Sequence, residues 1–259
     1  MSGGWLAPVA AALASATRPV AWWFRDDDAG WADDELWPLL DVFDAARVAV
    51  DVAAIPTAVT SRCARRLAGR VADGLVHVHQ HGLAHTNHEP AGRKCEFGLS
   101  RGRALQAADV RAGRDLLEDR LGRPIDAVFT PPWNRCSAAT ADAVLAAGHV
   151  VLSRDVSAGR LDRPGLAEVP VSIDWSSRRH AGPAGRAAAI ATCIAAGGPV
   201  GVMLHHAAMD AADRRALADL LALVTASPTA APTTVLTLSS RFSGSLRRMS
   251  ATEALTARG

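Results

Sequence analysis

Short apolar runs alternate along the chain with longer amphipathic stretches. The apolar runs are VAWWF (20–24), VAVDVAAI (48–55), LVHVHQH (75–81), DAVFT (126–130), HVVLS (149–153), EVPVSI (168–173), VGVMLH (200–205) and TVLTL (234–238). Runs this short, rich in β-branched and aromatic residues, read as strands. Between most of them lie Ala-, Leu- and Arg-rich segments with helical periodicity, at 33–47, 57–69, 101–121, 137–147, 185–196 and 210–225. Regular strand–helix alternation predicts a parallel sheet. With about eight strands the expected α/β fold is a distorted (β/α)7-8 barrel, TIM-like and single-domain over 1–259, led by a helix within 1–18 and trailed by a tail at 240–259. An open doubly wound sheet is the runner-up, but the first strand runs into RDDDAG and not into a glycine-rich phosphate loop. No internal repeat and no long linker divides the chain.

Composition supports a large core, since 49% of the residues are hydrophobic. The 28 basic and 26 acidic residues leave a formal charge of +2 and are spread along the chain. That distribution offers no footprint for nucleic acid or an anionic membrane surface. No apolar run approaches the roughly 18 residues of a membrane span. The first twenty residues lack a basic n-region, so a leading helix is expected in place of a signal peptide. Cys63, Cys95, Cys136 and Cys193 are widely separated and form no Cys-x-x-Cys pair, which reads as free thiols in a reducing cytoplasm. Oligomeric state is not set by any of these features.

In such barrels chemistry sits at the C-terminal ends of strands. The first strand ends in FRDDDAGW, where Asp26, Asp27 and Asp28 repel one another unless they face water or a cation. The third ends in HVHQHGLAHTNH, which holds His77, His79, His81, His85 and His88. His77, His79 and His81 alternate and project to one face. His81 and His85, four apart around Gly82, are close enough to share a metal. Asn87 and His88 follow as supporting or substrate contacts. Two neutral nitrogens with a carboxylate oxygen suit one divalent ion, zinc foremost, with cobalt, nickel or manganese also accepted. Such an ion offsets the aspartate repulsion and lowers the pKa of its bound water towards roughly 7, leaving a second aspartate to take the proton.

These segments resemble the polysaccharide deacetylases, the chitooligosaccharide-deacetylase homology family. FRDDDAG is similar to that family's Thr-Phe-Asp-Asp-Gly motif, with one extra aspartate and Arg25 in place of a small residue. The resemblance implies Asp27 as general base and Asp28 as metal ligand, with Asp26 as the alternative base. HGLAH matches His-Ser/Thr-x-x-His and implies His81 and His85 as ligands. TPPWN (130–134) corresponds to Arg-x-Pro-Tyr. Thr130 stands where the arginine that orients the base would be, Arg135 is a nearby substitute, and Trp133 takes the aromatic position whose N–H serves the oxyanion. Asn134 and Arg135 are expected to line the substrate site with His88. SRD places Asp155, and IDW places Asp174 and Trp175, at candidate fourth-motif positions. VMLHH matches the last motif, with His205 as the general acid and His206 as the fallback.

The resemblance implies a metal-dependent hydrolase that removes an N-acetyl group from an amino sugar or small sugar conjugate. Its partner would be a small N-acylated sugar, with no nucleic acid and no membrane, in the cytoplasm. Lys94 and Arg93, in the segment 89–100, are candidates to meet a phosphate on a nucleotide sugar. An allantoinase-like linear-amide hydrolase and a non-catalytic sugar-binding homologue are the alternatives. Thr130 is the feature that favours the latter.

Overall fold

A computed structural model describes residues 3–177 and 182–240. The expected tail lies outside these residues, apart from Ser240. Nine strands form one sheet: β1 Val20–Ala29, β2 Val50–Ala54, β3 Val76–His81, β4 Val128–Thr130, β5 Val151–Leu152, β6 Ala167–Glu168, β7 Ile173–Asp174, β8 Val200–Leu204 and β9 Ala230–Pro232. The order is β6-β5-β4-β3-β2-β1-β8-β7, with β9 beside the start of β1. Every pairing is parallel. The two ends of this path, β6 and β7, are not laddered together, so the sheet curls into a distorted barrel without full closure. Helices cover its outside: α1 Ala7–Ser15, α2 Asp33–Ala46, α3 Ser61–Ala72, α4 Arg103–Leu121, α5 Ala138–Ala146, α6 Gly182–Ala195 and α7 Ala211–Ala226. None of the helices among the described residues is long and apolar enough to cross a membrane.

Alternation along β1 splits its side chains between two layers. Trp22 and Phe24 join the layer under the helices, with Leu40, Phe43, Leu217 and Leu221. Trp23 turns the other way and packs with Val128, Val151, Val171, Met203, Val235 and Leu238. Its indole lies so close to β8 that a Cβ on Gly201 would meet it at 2.5 Å. Several helices start at side-chain caps: Thr60 accepts from Cys63 N, Ser137 and Thr140 form a capping box, and Asp210 accepts from Ala212 and Asp213 N.

Two predicted strands differ. EVPVSI divides into β6 and β7, because Pro170 has no N–H for a continuous ladder. TVLTL (234–238) is not a strand, and the chain is helical from Val235. The Thr234 hydroxyl accepts from Thr237 N and the Asp51 carboxylate accepts from Val235 N, so the free N–H groups of a helix start are satisfied locally. That capping outweighs the β-branched composition.

Candidate active site

The C-terminal ends of β1, β3, β4 and β8 converge, and the register shift in β1 arranges the aspartates. In a regular strand Asp26 and Asp28 would share one face. The ladder to β2 instead shifts between Asp26 and Ala29, and Asp28 has φ +72°. Asp26, Asp27 and Asp28 therefore meet three different sets of partners.

Asp28 reaches the histidines. Its Oδ1 is 3.1 Å from His81 Nε2 and 3.3 Å from His85 Nε2. The three side chains form the group able to hold a metal among the described residues. His81 Nδ1 lies 3.0 Å from the Thr130 carbonyl oxygen and so carries a proton there. Its Nε2 is left aimed at a carboxylate oxygen, an acceptor against an acceptor unless a proton or a cation sits between them. The donor set thus fits a divalent ion, with each ring presenting Nε2. In the ion's absence a proton fills that place. Burial works against it, but the hydrogen bond from His81 and the charges of Asp27 and Asp28 raise the His81 pKa. Burial would raise Asp28, yet its hydrogen bond to His81 and the charges of His81, His85 and His205 hold it well below the usual carboxylate range. Burial and the His81 charge lower His85.

The turn carrying His81 and His85 is fixed from behind by Glu96. This buried carboxylate accepts from Leu83 N at 3.2 Å and from Ala84 N at 2.8 Å. Gly82, at φ +59°, is obligatory there, since a Cβ would lie 2.1 Å from Glu96 Oε2. Burial lifts the Glu96 pKa even against its three backbone N–H donors. The His85 ring is flanked by two tryptophans, Trp31 at 4.8 Å and Trp133 at 4.4 Å between centroids. His85 (φ +54°), Trp133 (φ +55°), Asn134 (φ +57°) and Asp28 all have left-handed backbone. Such strain concentrated at one place is a mark of a functional site.

Asp27 is held by Arg25. The guanidinium donates from Nε to Oδ1 at 2.7 Å and from an Nη to Oδ2 at 2.9 Å, with both groups buried. It also donates to Ser153 Oγ at 2.8 Å, to Asn134 Oδ1 at 2.8 Å and to the Met203 sulfur at 3.1 Å. Arg25 therefore supplies the fork expected from the Thr130 position. Thr130 instead bonds His79 through its hydroxyl at 2.9 Å. The suggestion that Arg135 takes that role is wrong: it lies in the turn after β4 and donates outward to the Lys94 carbonyl at 2.8 Å. Asn134 is a support for Arg25, although its other side lines a cavity.

Asp26 and His206 form a separate clamp. Asp26 accepts from His206 N at 2.9 Å and from His206 Nδ1 at 2.7 Å, and His206 Nε2 meets the Trp31 carbonyl oxygen at 2.7 Å. Two oxygen acceptors require both ring nitrogens to be protonated. Although burial opposes it, the Asp26 carboxylate carries the His206 pKa up to about 9. Both residues are fully buried and committed to each other, which argues for a structural pair in place of Asp26 as base and His206 as acid. The pair instead pins the loop bearing Trp31. His205, the residue preceding His206, is half-buried and its charge is felt by Asp28.

The other expected residues are placed as follows. The Trp133 N–H has no acceptor among the described residues. His88 is not joined to the metal group by any hydrogen bond or ion pair, and its N–H goes to the Cys95 carbonyl. Asp155 caps a short 3-10 turn through Ser157 N at 2.7 Å. Asp155, Asp174, Trp133 and Asn134 line a cavity of about 700 Å³ beside the centre.

No protein-family model matches the chain, and no curated protein does. Solved structures do. A protein described as "putative polysaccharide deacetylase from Mycobacterium smegmatis" is 15% identical with a TM-score of 0.66, covering 88% of this chain and 94% of its own. A family 4 carbohydrate esterase from Streptomyces lividans in complex with acetate is 14% identical, with a TM-score of 0.56 and coverages of 83% and 92%. A family 4 acetyl xylan esterase from Clostridium thermocellum, in complex with a cobalt ion, is 13% identical, with a TM-score of 0.54 and coverages of 84% and 89%. This chain has the fold of the polysaccharide deacetylases and family 4 carbohydrate esterases.

Proposed function

We propose that the protein is a metal-dependent hydrolase that removes an N-acetyl group from an amino sugar or a small sugar conjugate. The observation that carries this reading is the arrangement of Asp27: a buried carboxylate oriented by an arginine fork, one residue from a carboxylate that meets two imidazoles. Asp28, His81 and His85 would hold the ion. When bound, a divalent cation supplies Lewis acidity towards the acyl carbonyl and lowers the pKa of water.

The chain's own residues supply the remaining steps. Asp27, fixed through both oxygens by Arg25, takes the proton from the attacking water. The Trp133 N–H is a free donor for the oxyanion that develops as the carbonyl becomes tetrahedral. His205, protonated, donates to the departing nitrogen, which an amide requires because a bare amide anion is a very poor leaving group. The neighbours' acetate complex and acetyl xylan esterase activity support acyl hydrolysis on this fold.

A mutant of a family 4 pseudoenzyme with restored activity also has this fold, at a TM-score of 0.55. Catalysis on it can therefore be absent. Here the feature pointing that way, Thr130, is offset by Arg25. Acetate release from a panel of N-acetylated sugars, with O-acetylated sugars alongside, tests the reading. Asp27→Asn is expected to abolish release while metal content survives. Undiminished release by that variant removes Asp27 as the base, and no release from any panel member by the metal-loaded wild type removes the hydrolase reading.

A further inference from the structure

The cavity beside the centre has a cationic wall that the deacylation chemistry does not use. Arg93 and Arg135 line it. Lys94 follows Arg93 in the chain, and its ammonium is 5.9 Å from the Trp133 ring, which in turn packs on His85. Arg135 is half-buried, and the one hydrogen bond it donates goes to a carbonyl, that of Lys94. No carboxylate pairs with Arg93, Lys94 or Arg135 among the described residues. Most half-buried and buried arginines elsewhere are paired, as Arg101 is with Asp109, Arg154 with Glu168 and Arg186 with Asp213, while Arg120 bonds backbone carbonyls on the α3–α4 side of the sheet and does not line this cavity. Burial and the charge of Arg93 both push the Arg135 guanidinium below its usual range, with no carboxylate among the groups acting on it. The two carboxylates of the same cavity, Asp155 and Asp174, are each turned onto a backbone N–H two residues along.

Like charges gathered with no carboxylate in contact destabilise the free protein, so a gathering of this kind at a cavity wall points to an anion supplied from outside. Guanidinium forks match phosphate geometry, and two of them suit a dianion better than the single charge of a carboxylate. The cavity volume is within the roughly 300–1,000 Å³ of small-molecule sites.

We propose that Arg93 and Arg135, with Lys94 at the rim, form a phosphoryl-binding subsite, so that the acylated amino sugar carries a phosphate whose capture brings its acylamino group to Asp27 and His205. This rests on the function proposed above for the placement of the sugar, but the anion site itself is tested by binding.

The test is calorimetric titration of the full chain with N-acetylglucosamine 1-phosphate, with N-acetylglucosamine, and with N-acetylmuramic acid as the carboxylate-bearing analogue. The same ligands are titrated into Arg93→Gln/Arg135→Gln and into Arg93→Glu alone, whose substitution lies on an exposed loop. Any binding of phosphate by a metal is common to wild type and variants, so their ratio isolates the arginines. Charge-assisted hydrogen bonds predict roughly tenfold tighter binding of the phosphorylated sugar per engaged guanidinium. The double variant should erase that advantage, and Arg93→Glu should reduce it. Equal affinity for the phosphorylated and neutral sugars overturns the proposal, as does an advantage that survives both variants. An advantage shown only by the carboxylate analogue overturns the phosphoryl assignment. A phosphate advantage lost in the double variant, without acetate release from any sugar, upholds the subsite while the hydrolase reading fails.

Discussion

Replacing Arg25 by Gln isolates the contribution of the relocated fork. The substitution keeps a polar side chain in the barrel but removes the charge and both bonds to Asp27, at 2.7 and 2.9 Å. Ser153 and Asn134 lose their donor as well. Removing one partner of a buried ion pair costs about 3–5 kcal/mol, because the remaining charge is left unpaired. For a chain of this size that lowers the Tm by roughly 6–20 °C. Catalysis should suffer as well as stability. Loss of orientation is expected to reduce kcat by about 100-fold, the cost of misplacing a reacting group by about an ångström. The assay is acetate release against pH, beside thermal unfolding, for Arg25→Gln, Arg25→Lys and Asp27→Asn. Arg25→Lys should fall between the others, keeping the charge without the fork. In an Asp27→Asn background, Arg25→Gln should add little further loss of rate. A variant that loses stability but keeps its kcat refutes the positioning role and leaves Arg25 as a structural ion pair.

Two further predictions concern the supports of the site. His206 has a folded pKa of about 9 against an ordinary value of 6.5, so its clamp on Asp26 contributes stability that is full below about pH 6.5 and is lost as pH rises through about 9. The difference corresponds to about 3 kcal/mol; urea unfolding from pH 6 to 10 should show this decline in the wild type and a flatter curve in His206→Asn, and parallel curves would contradict the assignment. Glu96→Gln leaves the His81–His85 turn with a weaker acceptor for its N–H groups, so metal affinity should fall by about 10–100-fold, the usual cost of losing an outer-shell partner. Competition with a chelator measures it, and an unchanged affinity would show that the turn holds its ligands without the Glu96 carboxylate.

What could be read without coordinates was periodic or closely spaced. The alternation in β3 and the four-residue step from His81 to His85 place two imidazoles together on local geometry alone. Arg25 was visible as an intruder in its motif and Thr130 as an absence in another. That one compensates the other follows only from the fold, which sets Arg25 beside Asp27, two residues along the same strand, with Asn134 and Ser153 brought to it from elsewhere. Arg135 looked the better substitute because it is near Thr130 in sequence, yet the turn after β4 directs it outward. Glu96 was hidden in a loop whose composition signals nothing, since its function is to accept backbone N–H groups from residues more than ten positions earlier. Asp26 and His206 illustrate the reverse. Each was the alternative to its neighbour, and the bulge in β1 separates them by turning Asp26 onto His206 and Asp28 onto His81 and His85. TVLTL was misread because its strand-like composition is overruled by Thr234 and by Asp51, a partner distant in sequence.

Metal analysis of the purified full chain after loading with zinc or cobalt bears most directly on the centre. One ion per chain is expected, retained in Asp27→Asn and lost in Asp28→Ala and in His85→Ala. Recovery of no ion under any loading, or an ion still bound tightly once Asp28 and His85 are both removed, would contradict the assignment of Asp28, His81 and His85 as its ligands.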